Sequence, residues 1–214
     1  MNPITGKPAL YAPADFVAPD PAAIVRQYPF ALLVTTGAAG IYATSTPMFF
    51  ETDAATDTVI GHLSRRNPHA PALAAGQDVL AVFAGPHAYV SSSWYAARPS
   101  VPTWNYVIAH VRGKIEPIDE PTHELDILRR TTELLERDNP QPWTLEQAPP
   151  GRVDFLLPLI RSFRIRVASI EGVTKLNQTH PPADRMRIIR RLLQRGDADS
   201  VAIAQLMAEI QPTE

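Results

Sequence analysis

Trp104 to Ile118 reads WNYVIAHVRGKIEPI, and its alternation decides the fold. Val107, Ala109 and Val111 fall on one face, and His110, Arg112 and Lys114 on the other. A period of two is that of a strand with one buried and one wetter side. Working outward, Asp78 to Phe83 is an apolar run that reads as a strand covered on both faces, and Ala88 to Ser92 is a further short strand. Phe30 to Thr36, Ile41 to Phe50 and Thr58 to Leu63 are rich in apolar and β-branched residues. They are separated by turns at Gly37 to Gly40 and Asp53 to Asp57. Ser162 to Ile170 alternates again, with Phe163, Ile165 and Val167 set against Arg164, Arg166 and Ala168. Connections this short suit antiparallel pairs, because parallel pairs need long crossovers.

Helices punctuate the strands. Asp20 caps one that starts at Pro21, runs through Ile24 and Val25, and is stopped by Pro29. Asn67-Pro68 opens a small helix closed by Gly76, and Thr122 to Arg137 is a longer one with Leu125, Leu128 and Leu135 in its apolar stripe. Two helices follow at Ala183 to Arg195 and Ala198 to Ile210. The stripe of the first is Met186, Ile189, Leu192 and Leu193; that of the second is Ile203, Leu206, Met207 and Ile210. The pattern predicts a mainly antiparallel sheet or barrel with peripheral helices.

The chain has 214 residues, 45% hydrophobic and 20% charged, with no cysteine and a formal net charge of −2. It is long enough to bury a sizeable core. It can form no disulfide framework and no thiolate metal site, which fits a reducing compartment. The start, MNPITGKPALYAPADF, has no basic stretch leading into an apolar core, and no apolar run approaches membrane-span length. The expectation is a cytoplasmic protein with no membrane partner. The net charge offers no broad attraction for DNA, and no helix-turn-helix or zinc-finger spacing is present.

Chemistry-bearing residues crowd between Gly61 and Gly113. In Gly61-His62-Leu63-Ser64-Arg65-Arg66-Asn67-Pro68 a strand gives way to a helix beside a hydroxyl and two guanidiniums. Helix N-termini attract anions and Arg binds phosphate in a bidentate manner; the competing reading is that Asn67 caps the helix and the arginines are solvated. Gly85 to Tyr95 (GPHAYVSSSWY) and Val101 to Tyr106 (VPTWNY) interleave aromatic rings with donors and acceptors. Such a mixture suits a planar heteroaromatic ligand and equally a sheet core. His62, His87 and His110 could converge on a metal or haem, although the spacing is not diagnostic. No GxSxG elbow supports a serine hydrolase. Arg185, Arg187, Arg190, Arg191 and Arg195 load one C-terminal helix with positive charge, read either as phosphate contacts or as its wet face.

These motifs resemble the PaiB-type family of FMN-binding negative transcriptional regulators. The resemblance rests on GHLSRRNP at Gly61, GPHAYVSSSWY at Gly85 and VPTWNYVIAHVRG at Val101. Leu10-Tyr11-Ala12-Pro13, Tyr28-Pro29-Phe30-Ala31 and Lys175-Leu176 with Gln178 support it. It spans nearly the whole chain. It implies a mainly β fold, an antiparallel split β-barrel with peripheral helices, forming one FMN-binding domain over 1–214 with a helical C-terminal extension at 182–214. It further implies a homodimer with flavin pockets at the subunit interface and a role in negative regulation of genes. An FMN-dependent oxidoreductase acting on a small substrate is the alternative, and haem the alternative cofactor. Carried over motif by motif, the cofactor contacts are His62, Ser64, Arg65 and Asn67, with the turn from Ser64 to Asn67 at the phosphate. His87, Tyr89, Ser91, Trp94 and Tyr95 follow, then Thr103, Trp104 and Asn105, with Arg112, Lys175 and Gln178 as further polar contacts.

The sequence departs from the family pattern at Ser92, Arg66, Thr44-Ser45-Thr46-Pro47 and the segment Glu171 to Thr179. If that last segment lines the pocket, losing the family's Ser and Asn there changes the binding.

Overall fold

The computed structural model describes residues 10–52, 55–96 and 100–210. Six strands alternate with six α-helices among them: α1 (Pro21–Gln27), β1 (Phe30–Gly37), β2 (Gly40–Thr52), β3 (Ala55–Ser64), α2 (His69–Ala72), β4 (Gln77–Val90), β5 (Thr103–Ile118), α3 (Pro121–Glu136), α4 (Arg152–Leu156), β6 (Ile160–Lys175), α5 (Pro182–Arg195) and α6 (Ala198–Glu209). Every strand pairing is antiparallel. The order β1-β2-β3-β6-β5-β4 returns on itself, because β1 also pairs with β4 from Leu32↔Val82 to Thr35↔Val79.

The fold class expected above is corrected in two respects. Helices α1, α2, α3, α5 and α6 contribute buried residues to the cores around the sheet, so the fold is mixed α and β and not mainly β. The sheet is also one unbroken ring of strands, with none of the division that a split barrel implies.

Local chemistry explains the elements. Asp20 Oδ1 accepts from the Ala23 amide at 3.1 Å, capping α1 just ahead of Pro21. The β1–β2 hairpin turns between Gly37 and Gly40, and Gly40 sits at φ +102°, where a side chain would be strained. The barrel interior takes alternate residues: Leu33 of β1, Met48 of β2, Phe83 of β4, Ala109 and Val111 of β5, and Phe163 and Ile165 of β6. Ile24 and Val25 of α1 pack into the same core.

Several sequence-based boundaries move. Asp78–Phe83 and Ala88–Ser92 are parts of the single strand β4, joined through an irregularity between Ala84 and His87. Of the turn placed at Asp53 to Asp57, Asp53 and Ala54 lie outside the described residues, and Ala55 already begins β3. The small helix after Asn67 is limited to His69–Ala72, α4 was not anticipated, and β6 continues to Lys175. On α3 the buried stripe is Glu124, Ile127 and Thr131, with Leu135 52% exposed. On α5 it is Ile188 and Leu192, while Met186 and Leu193 are half exposed.

Two smaller cores complete the molecule. Ile127 and the partly buried Leu134 of α3 pack on Phe49, Ile60 and Ile118. At the far end of β4, the helices α5 and α6 cover Ala88, Val90, Tyr95 and Leu176 with Ile188, Leu192, Ile203, Ala204 and Met207.

Candidate functional site

The register of β4, β5 and β6 aligns their outward side chains in rows. Tyr89 faces Trp104, and the next row is His87, Tyr106 and Lys175. Val82, His110 and Glu171 follow further along, then Leu80, Arg112 and Ser169. β1 extends these last rows with Leu32 beside Val82 and Val34 beside Leu80. One side of the barrel thus runs from an aromatic end to an end where apolar side chains of β1 and β4 lie beside His110, Arg112 and Glu171 of β5 and β6. An open groove of about 400 Å³ lies at this second end, lined by Val34, Thr36, Asp78, Leu80, Arg112 and Lys114 among others.

At the aromatic end Trp104 is 52% and Tyr89 41% exposed. Their rings meet edge to face at 6.1 Å, and the His87 ring lies 5.5 Å from Trp104. His87 Nε2 is also 3.7 Å from Asp199 at the start of α6. The Lys175 ammonium donates to Thr103 Oγ1 at 2.6 Å and sits 5.7 Å from the Phe16 ring. Two flat faces, an imidazole and a cation therefore converge within three neighbouring strands.

The other residues of the two later motifs turn away from this face. Ser91 Oγ bonds Ser93 and caps the short turn at Ser92–Trp94, and Trp94 lies under the Arg195 guanidinium at 4.9 Å. Tyr95 is buried, and its hydroxyl accepts from Asn177 Nδ2 at 2.8 Å; burial raises its pKa, against the lowering effect of that bond. Asn105 is fully buried, with Nδ2 3.4 Å from Met207 Sδ and Oδ1 unpartnered. Gln178 ties the chain after β6 to Asp15 and Thr174 through its amide, and accepts from the Leu176 amide. Arg112 remains on the outer face, 3.5 Å from Glu171.

The first motif is elsewhere. His62, Ser64, Arg65 and Asn67 gather where β3 ends, and Arg65 bonds Asp119, which follows the last residue of β5. The aromatic pair sits at the beginning of β5, about 50 Å of strand path away at roughly 3.3 Å per residue. One chain does not bring the two groups together. Arg65 donates to Asp119 at 3.1 Å and to Glu124 at 2.9 Å. Arg161 also holds Asp119, through two bonds of 2.9 Å, so Asp119 stays below the usual carboxylate range, first through Arg161 and then through Arg65. Asn67 Oδ1 accepts from the His69 amide and its Nδ2 donates to Thr44. His62 is largely enclosed, and burial lowers its pKa.

His62, His87 and His110 are spread over these separate regions. Among the described residues, no group of three or more metal-ligating side chains is assembled. Sequence reasoning missed Tyr106 and Glu171, which share the outer face. The signal was available in the alternation of Trp104 to Ile118, but the partner of His110 on β6 could be assigned only with the register known. His110 is held below the ordinary histidine value by burial and then by Arg112, with Glu171 opposing.

The chain and its fold have counterparts among known proteins. A family model described as "Putative FMN-binding domain" matches residues 10–169. The "Protease synthase and sporulation protein PAI 2" of Bacillus subtilis is 35% identical over 187 residues, covering 86% of this chain and 88% of that protein. The chain belongs to the PaiB-like FMN-binding domain family. Among solved structures, the flavocytochrome Anf3 from Azotobacter vinelandii superposes with a TM-score of 0.58 at 17% identity, over 75% of this chain and 69% of that one. The FAD and heme binding protein from Mycobacterium smegmatis gives 0.52 at 15% identity, over 72% and 69%. These two likenesses are of fold.

Proposed function

We propose that the protein is a flavin-dependent gene regulator that holds FMN between two copies of the chain, against the outer face of β1, β4, β5 and β6. The observation that carries this reading is the pair of solvent-facing rings Trp104 and Tyr89 with Lys175 beside them. Contiguous exposed apolar surface marks places where a folded chain meets something else. Flat faces beside a few polar groups suit an isoalloxazine. Trp104 and Tyr89 would cover the ring, while Lys175, Thr103 and His87 would bond its polar edge. When bound, FMN supplies redox chemistry that the protein side chains lack.

The phosphate contact remains assigned to the turn Ser64, Arg65 and Asn67. Because that turn lies at the opposite end of β5, it would come from the second copy. Arg65 would have to exchange a carboxylate partner to make it. Leu32, Val34, Leu80 and Val82 form the apolar ground on which the copies would meet. The chain works as one domain, with the helices α5 and α6 as its C-terminal extension. The cysteine-free composition suits a cytoplasmic setting. Among the described residues no helix is long and apolar enough to cross a membrane.

The test is the visible spectrum of purified protein, followed by an FMN titration. We expect flavin bands, a saturable site, and at least tenfold weaker binding in Trp104→Ala and Lys175→Ala. Unchanged affinity in both would overturn the placement. Sequence-selective, salt-dependent DNA binding would support the regulator, whereas steady flavin-dependent oxidation of NADH or NADPH would establish an oxidoreductase instead. A Soret band would replace flavin with haem.

A further inference from the structure

We propose that Ser93, Trp94, Arg187, Arg190, Arg191 and Gln194 form a binding site for the phosphoryl group of a small molecule, lined by none of the residues assigned to the flavin contacts except Trp94. These six residues line an open groove of about 320 Å³ between α5 and the turn Ser92–Trp94. A phosphate or diphosphate with a small attached group fits that size, which is at the low end of the ~300–1,000 Å³ typical of ligand pockets.

The charge is what singles the groove out. The whole chain carries −2, yet α5 carries five arginines and one acidic residue, Asp184. Asp184 is buried and already accepts from the Ala96 amide. Two of the five arginines have structural duties. Arg185 is buried and donates to the carbonyls of Met207 and Ile210. Arg195 lies over Trp94 and donates to the Tyr89 carbonyl and to Ser200.

The remaining three line the groove. Arg187 and Arg190 have no hydrogen-bond or ion-pair partner among the described residues, and Arg191 bonds only Gln194, at 3.2 Å. Arg187, Arg190 and Arg191 stand at i, i+3 and i+4, where like charges repel along a helix. A dianion placed among them relieves that repulsion and accepts bidentate guanidinium bonds. Arg195 fixes the Trp94 wall and thereby the opposite side of the groove. Asp197, the first acid after α5, takes its hydrogen bonds from the Ser200 amide and hydroxyl and makes no ion pair with Arg187, Arg190 or Arg191 among the described residues. The groove's small volume favours a compact phosphate over an extended nucleic-acid strand.

Calorimetric titration of the full chain with inorganic pyrophosphate, at fixed ionic strength, tests the site. Saturable binding is expected. Arg187→Ala/Arg190→Ala should weaken it at least tenfold, while Arg187→Lys/Arg190→Lys keeps most of it and both variants melt as the parent does. Since all the altered side chains are exposed, folding should survive; if the double variant fails to fold, Arg191→Gln alone should still weaken binding severalfold. FMN and riboflavin are titrated in parallel. An FMN affinity that the variants leave unchanged supports a site separate from the flavin. Loss of FMN affinity with riboflavin affinity intact would make FMN's own phosphate the occupant and overturn the separateness. No saturable pyrophosphate binding, equal binding by the alanine variant, or equally tight binding of sulfate would overturn the phosphoryl assignment.

Discussion

Arg65 is held by two carboxylates, one exposed and one buried, and this sets what its removal would do. Glu124 is 2% exposed, and its ordinary pKa is raised by burial against the bonds from Ser162 and Arg65. Arg65→Ala should therefore cost about 2 kcal/mol of stability, as expected for a lost hydrogen bond to a charged partner. In urea denaturation, Arg65→Ala combined with Glu124→Gln should cost less than the two single changes added together. Full additivity would deny the pairing. The histidines give a second prediction. His69 is buried, with Nε2 2.9 Å from Thr35 Oγ1 and Nδ1 3.0 Å from Thr44 Oγ1, and burial lowers its pKa, as it does for His62, His110 and His180. The folded values lie below the unfolded value of about 6.5, so as pH falls from there the unfolded chain takes up protons that the fold resists. Stability should drop as pH falls below about 6.5. A flat Tm across that range would show that these histidines do not report folding. At this scale the sequence was readable for residue type and poorly readable for partners. Arg65 looked free because Asp119 and Glu124 are more than fifty positions away, and only the fold brings them near.

Among the elements, β5 was the most legible, since its faces alternate strictly from Trp104 to Glu116. β4 was split in two because Gly85-Pro86 reads as a break, whereas the structure absorbs it as an irregularity within a continuing strand. The stripes on α3 and α5 were misassigned for a different reason. Both helices are arginine- or glutamate-rich with leucines on several sides, so periodicity alone missed Ile127 on α3 and Ile188 on α5, although Leu192 on α5 is buried as expected. The β5–β6 ladder offers its own test. At the register shift after Arg112, a Cβ on Gly113 would stand 2.1 Å from the Arg166 carbonyl oxygen, and backbone cannot easily yield. Gly113→Ala should cost on the order of 1–3 kcal/mol, the usual range for overpacking, read as a lower denaturation midpoint. An unchanged midpoint would mean that the bulge relaxes freely.

For the molecule as a whole, the proposed pairing of two copies places Leu32, which is 37% exposed, in an apolar interface. Leu32→Glu should shift sedimentation from dimer to monomer and weaken FMN binding in parallel. A dimer that persists with full affinity would move the interface elsewhere. The family was legible because three motifs are retained apart from Arg66 and Ser92, while the mixed, unbroken architecture was not, since strand closure depends on long-range register.

The separation of the barrel core from the one beneath α5 and α6 has a kinetic consequence. Ala88, Val90 and Leu176 connect the helical core to strand ends and not to strand centres. Proteins open in cooperative units of unequal stability, and a helix pair resting on strand ends is a natural unit of that kind. Amide hydrogen exchange should resolve two protection classes, with Ile188, Leu192 and Ile203 exchanging through a partial opening that leaves Ala109 and Ile165 closed.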